Sequence, residues 1–115
     1  MAVATTNATT NRIEALRHKL NLTQKVMARI LGITERTIID LEAGRPLSEG
    51  IGRRVTELDR LQRDLRKVVR PQAIERWLTE PNDAFDGDSP ADLIAKGKVD
   101  LLWRMIFELR SGVSS

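Results

Sequence analysis

Few side chains in this sequence are equipped for chemistry. His18 is the only histidine, and the chain has neither cysteine nor tyrosine. A Ser/His/Asp or Cys/His arrangement therefore has one possible base, and that base falls on an ordinary amphipathic stretch as a surface residue. The absence of cysteine excludes disulfides and thiolate metal sites. Asp83, Asp86 and Asp88 alternate around Gly87 in the manner of a cation loop. A calcium loop of the EF-hand type needs a Glu at its twelfth position, however, and the twelfth residue from Asp83 is Ile94. That run reads as a solvated turn. No glycine-rich phosphate loop is present. The residues point away from an enzyme and imply no cofactor and no metal.

A different chemistry is available between Glu35 and Ala43. Laid out at 100° per residue, Ile38 and Leu41 share one face and Arg36 and Ala43 the opposite one. Ile39 and Asp40 flank the outward face, and Glu35 and Thr37 sit at its edges. Reading base edges in a major groove requires polar side chains facing out near the start of a helix, and Arg36 and Thr37 meet that requirement. Glu35 and Asp40 place negative charge where phosphates are dense, which weakens non-specific binding, although a carboxylate can accept a hydrogen bond from cytosine N4. Ile39 is apolar on the outward face and could meet a thymine methyl or a protein. The competing reading is a helix-turn-helix kept for its fold alone.

The helix that carries these residues needs a scaffold, and the apolar spacing is helical almost throughout. Aromatics make up 3% of the chain and no segment alternates in the β manner, so the fold class is all-α. Asn11 with Glu14 predicts a capping box ahead of an Ile13, Leu16, Leu20 stripe. Thr23 caps a second helix with Val26, Met27, Ile30 and Leu31 inward, and Gly32 breaks it. Ala28 provides the small side chain that closely crossing helices need. Thr34 caps the reading helix, and Gly44 with Pro46 ends it. Ser48 opens a longer helix through about Val69, and Pro71 stops that helix and can start the next. In this fifth helix Ile74, Trp77 and Leu78 face inward. Residues 80–88 are turn formers. Ser89-Pro90-Ala91-Asp92 starts a short helix ended by Gly97. A last helix runs from Val99 to Arg110 with apolar positions Leu101, Leu102, Met105, Ile106 and Leu109, of which Leu102, Met105, Ile106 and Leu109 form the inward stripe, and Gly112 ends it. The expected organisation is a frayed tail over 1–10, a helix-turn-helix domain over 11–70 and a small helical domain over 71–115.

Charge fits this division. The net charge of +3 lies wholly in residues 1–60, with ten Lys/Arg against seven Asp/Glu, whereas residues 61–115 carry nine of each. Basic surplus near a DNA reader neutralises phosphates and releases counterions, though a surplus of this size is common. The first ten residues lack the basic and apolar regions of a signal peptide. No apolar run approaches the ~18 residues needed to span a bilayer, and a cytoplasmic location is expected.

Leu22-Thr23-Gln24, Ala28, Gly32, Thr34, Thr37-Ile38 and Leu41-Glu42 followed by Gly44 resemble the Xre/Cro family of phage-type repressors. That resemblance implies that Gln24 touches phosphate or a flanking base, that Thr34 belongs to the DNA face, and that Glu35, Arg36, Thr37 and Asp40 occupy base-reading positions. In the second half, Trp77-Leu78, Pro81-Asn82, Phe85, Ser89-Pro90, Asp92-Leu93, Gly97 and a final amphipathic helix ending at Gly112 look like the C-terminal domain of the MbcA/ParS/Xre antitoxin family. Together the two resemblances span about 11–113.

The second resemblance implies a type II toxin–antitoxin system. The partner would be a RES-domain toxin that degrades NAD. The C-terminal domain would bind it, the extreme C-terminus would block its active-site cleft, and the helix-turn-helix would bind the operon's own operator DNA. The implied toxin-binding residues are Trp103, Phe107, Arg110, Gly112, Val113, Ser114 and Ser115, in a homodimer or a higher hetero-oligomer with toxin. All four aromatics, Trp77, Phe85, Trp103 and Phe107, lie in this half. Aromatics and Arg are enriched among interface anchors. Trp77 reads as core, whereas Trp103 lies off the centre of the inward stripe and either faces a partner or packs inside. Two alternatives stand beside this reading. One is a stand-alone repressor whose second half only dimerises, the other a pure protein inhibitor with a vestigial DNA head.

Overall fold

The computed structural model describes residues 12–112, and among them every regular element is helical. Helix α1 covers residues 12–19. It is followed by α2 (Gln24–Leu31), α3 (Glu35–Glu42), α4 (Glu49–Leu65), α5 (Ile74–Thr79), α6 (Pro90–Ala95) and α7 (Val99–Ser111). Single 3-10 turns at Pro71–Ala73 and Asp83–Phe85 lie within the connections. The expected cap at Asn11 and the segment Val113, Ser114 and Ser115 lie outside the described residues.

The helix starts follow from side-chain caps. The hydroxyls of Thr23, Thr34 and Ser48 accept from the backbone N–H groups of Val26, Thr37 and Ile51, each satisfying a donor that a helix N-terminus leaves orphaned. Ser89 and Asp92 form a reciprocal capping box with Pro90 in the first turn of α6. The ends are set by left-handed residues. Asn21 (φ 57) turns the chain after α1, and Gly32 (φ 70) closes α2 with its N–H on the carbonyls of Ala28 and Arg29.

Helix α4 is shorter than its apolar stripe suggests. It ends at Leu65, and residues 66–69 form turns, with the Val69 N–H on the Leu65 carbonyl at 2.7 Å. Pro71 prevents any helical continuation through Arg70. It disfavours helical backbone at the residue before it, and Arg70 is extended at φ −61, ψ 140.

The apolar stripes meet in one continuous core. Ile13, Leu16 and Leu20 of α1 join Met27, Ile30 and Leu31 of α2, Ile38 and Leu41 of α3, and Val55, Leu58, Leu61 and Leu65 of α4. The same cluster continues through Ile74, Leu78, Phe85, Leu93 and Ile94 to Leu102 and Ile106. Helix α2 is the hub, packing α3 on one side and α6 on the other. The close approach of α6 shows at Gly32, where an added Cβ would lie 3.5 Å from Ala95 Cβ. The two halves expected from sequence thus share their interior.

Candidate nucleic-acid interface and partner face

The reading helix is fixed from below by an ion pair. Arg17 of α1 donates from Nε to Glu42 Oε2 at 2.7 Å and from Nη2 to Oε1 at 3.0 Å, and its Nη1 reaches the Leu22 carbonyl at 3.2 Å. Gln24, at the start of α2, donates from its amide to the same Glu42 carboxylate at 3.0 Å. The side chains are only 14% and 6% exposed. One carboxylate at the end of α3 therefore ties together α1, the turn after it and the start of α2. Burial pushes the Glu42 carboxyl up, but the hydrogen bonds from Arg17 and Gln24 and the Arg17 charge outweigh it, so the net shift is downward. The hydrogen-bonded Glu42 carboxylate in turn pushes the Arg17 guanidinium up.

Above this anchor the N-terminal turn of α3 faces solvent. Glu35 and Arg36 are exposed, Arg36 with 79% of its side chain. Thr37 is half-buried, and its hydroxyl lies 2.9 Å from that of Thr34, which also caps its N–H. Asp40 is paired, with Oδ1 3.3 Å from Arg36 Nε and Oδ2 3.9 Å from Arg45 Nη1. Ile39 is exposed beside it. The structure thus gathers Glu35, Arg36, Thr37, Ile39 and Asp40 on one outward surface. Gln24 stands apart from the others in that its amide nitrogen is already engaged by Glu42.

Two participants escaped the sequence reading. Arg45 closes on Asp40 from the turn after α3, held there by its own N–H on the Asp40 carbonyl at 2.9 Å. Arg17 is the other. Nothing in the periodicity of α1 distinguishes it from the surface cations around it, and only Glu42, a residue of the helix-turn-helix motif itself, hinted that a partner was needed.

The far side of the second half presents apolar surface. On α7 only Leu102 and Ile106 are fully buried. Leu109, expected inward, is 40% exposed, Leu101 is 39% exposed and Phe107 71%. The expected inward stripe of four was too wide. Helix α7 lies along α4 and α6 at the rim of the core, so a single row of residues one turn apart reaches inside. Trp103 and Met105 pack partly against the core, as does Trp77. Arg110 reaches Asp64 of α4 at 3.6 Å, and Gly112 takes a left-handed conformation (φ 72).

The acidic turn is held by the protein itself. Asn82 accepts from Ala84 N–H at 2.9 Å and donates its own N–H to the Asp88 carbonyl, while Lys96 Nζ lies 2.9 Å from Asp88. At the seam between the halves, Arg29 of α2 donates to Ser89 Oγ at 3.0 Å and lies 3.4 Å from Asp92. The backbone N–H of Ser89 holds the Asp92 carboxyl below its usual range, assisted against burial by the Ser89 hydroxyl and the Arg29 charge.

An outward polar surface on the second of two crossing helices defines a helix-turn-helix protein, here with a further helical layer packed on the motif's first helix. Residues 13–58 match the helix-turn-helix family, and residues 64–105 match the antitoxin Xre/MbcA/ParS C-terminal toxin-binding domain. The chain thus has the domain make-up of an Xre/MbcA/ParS antitoxin, with a helix-turn-helix in front of the toxin-binding domain. One chain in the crystal structure of the M. tuberculosis MbcT–MbcA toxin–antitoxin complex has the same fold, with a TM-score of 0.75 and 21% identity over 92% of this chain and 96% of that one. No curated protein sequence matches significantly. No helix among the described residues is long and apolar enough to cross a membrane.

Proposed function

We propose that this protein is the cytoplasmic antitoxin of a type II toxin–antitoxin pair, that it neutralises a RES-domain toxin which degrades NAD, and that it represses its own operon through the helix-turn-helix. The observation that carries the reading is the apolar surface that α7 leaves in water, Phe107 above all, at the end of the stretch that matches toxin-binding antitoxins. A helix that leaves Leu101, Phe107 and Leu109 in water has surface to bury against another protein, and aromatic residues dominate such contacts. The M. tuberculosis complex of the same fold is itself a toxin–antitoxin assembly. In this reading Arg110, Gly112, Val113, Ser114 and Ser115 block the toxin's active-site cleft. Trp103 contributes an edge of the same surface. On the opposite side Gln24, Thr34, Glu35, Arg36, Thr37 and Asp40 line the operator DNA.

Co-expression with the product of the neighbouring gene tests the reading. The two proteins should co-purify, and the complex should consume no NAD. A variant lacking residues 110–115 should still bind but leave the toxin active; full inhibition by that variant would refute the blocking role. A chain that dimerises through α7 and neither binds nor inhibits its neighbour is instead a stand-alone repressor.

A further inference from the structure

The guanidinium of Arg36 rests against a carboxylate at one end, in a charge contact on an exposed surface. Its Nε lies 3.3 Å from Asp40 Oδ1, one helical turn further along α3, and the second Asp40 oxygen lies 3.9 Å from Arg45. The two Nη nitrogens of Arg36 have no hydrogen-bond partner among the described residues, and the side chain is 79% exposed. Asp40 is therefore interposed between two cations on the outward surface, with both carboxylate oxygens turned toward them.

An arginine free to swing settles on whatever acceptor is nearest, and at a DNA surface that is usually a phosphate, which carries no sequence information. A carboxylate behind the guanidinium changes this in two ways. It offsets the charge that a phosphate would attract, and it favours one orientation of the fork, with Nε toward the carboxylate, when DNA arrives. What remains free is the Nη edge, two parallel N–H donors. In the major groove guanine alone presents two adjacent acceptors, O6 and N7, to such an edge, whereas adenine turns an N6 donor toward it. We infer that Asp40 is a positioning residue that makes Arg36 a reader of guanine, rather than a reader of cytosine in its own right. The inference rests on the DNA-reading function proposed above and specifies the base that function reads.

The test is a selection from a randomised duplex DNA library at moderate salt, with the full chain alone and with its co-expressed partner. The wild type should enrich sites with one fixed G·C pair whose replacement by A·T weakens binding about 5- to 150-fold. Asp40→Ala should lose most of that preference while binding random duplex as tightly as the wild type or more tightly, since a negative charge has been removed. Arg36→Ala and the double variant should lose the preference at the same base pair, and the losses should not add. Asp40→Glu, which keeps the carboxylate, should restore part of it. A mere surface ion pair would leave base preference unmoved in Asp40→Ala and Asp40→Glu.

The inference is overturned if Asp40→Ala keeps the guanine preference, or if Asp40 and Arg36 govern different base pairs additively. If the wild type enriches no sequence in either form, the DNA-reading function itself fails and this inference with it. Retained thermal midpoints in the variants exclude misfolding as the cause.

Discussion

Replacing Glu42 by alanine tests whether the reading helix is anchored as described. The carboxylate accepts three hydrogen bonds, at 2.7 and 3.0 Å from Arg17 and at 3.0 Å from Gln24, in a site where the two ionic side chains are 14% and 6% exposed. Hydrogen bonds to a charged group contribute ~1.5–3 kcal/mol each in favourable cases. Removing one partner of a buried pair costs ~3–5 kcal/mol, because the other charge is left uncompensated. Arg17 keeps a bond to the Leu22 carbonyl and some access to water, so the lower end applies, about 3 kcal/mol. For a chain of this size that is a fall in Tm of roughly 10–15 °C. The double variant Arg17→Met/Glu42→Leu removes both charges together and should recover most of the loss. The assay is urea denaturation followed by circular dichroism, with Arg17→Met, Glu42→Leu and the double variant completing a double-mutant cycle. A loss below about 1 kcal/mol in Glu42→Ala, or additive single losses, would refute the anchor.

The same pair sets an acid limb. The folded Glu42 carboxyl lies below its ordinary value of 4.5, so the unfolded chain binds the proton more readily than the folded one. Its contribution to stability is complete above the unfolded value and is lost as pH falls through the lower folded value. Asp92, held below its ordinary 3.8, acts in the same direction. Stability should therefore fall below about pH 4, and in Glu42→Gln the acid limb should be shallower, as denaturation at a series of pH values would show.

Other outcomes follow from single contacts. Gly32→Ala should cost about 1 kcal/mol of unfolding free energy, because φ 70 penalises any side chain while the nearest atoms, at 3.4 and 3.5 Å, only just admit a methyl group. Ser89→Ala removes the cap of α6 and the acceptor of Arg29; the expected loss is ~1–2 kcal/mol in the same assay. Phe107→Asp should leave stability within ~0.5 kcal/mol yet weaken toxin binding at least about 30-fold by calorimetry, since the ring is 71% exposed in the chain alone. Tryptophan fluorescence, which reports only on Trp77 and Trp103, should unfold together with the far-ultraviolet signal of the whole chain, because the core is continuous.

Local chemistry was legible in the sequence where one residue decides one feature. The caps at Thr23, Thr34, Ser48 and Ser89 and the breaks at Gly32, Gly97 and Gly112 each depend on a hydroxyl or a missing Cβ within a few residues of the helix end. Periodicity also found the inward residues of α2 and α3, with Met27, Ile30, Leu31, Ile38 and Leu41 all buried. It failed on α7. A helix at the rim of a core buries a narrower row than its apolar content suggests, and Leu109 was placed inside on content alone. Long-range pairs were beyond reach. Arg17 and Glu42 are 25 positions apart and Arg29 and Ser89 are 60 apart, and no local pattern links them.

The position of α2 has a mechanical consequence. In a free-standing helix-turn-helix the first helix of the motif has one face to spare. Here that face carries α6: Ala95 lies against Gly32, and Arg29 bonds the Ser89 cap. Arg54 of α4 adds a donor to the Leu31 carbonyl at 2.7 Å, so the turn between α2 and α3 is braced from both halves of the chain. Helix α7, which leaves apolar surface in water, packs on α6 and α4. A load on α7 therefore falls on α6 and α4, the two elements that brace the turn between the motif's helices.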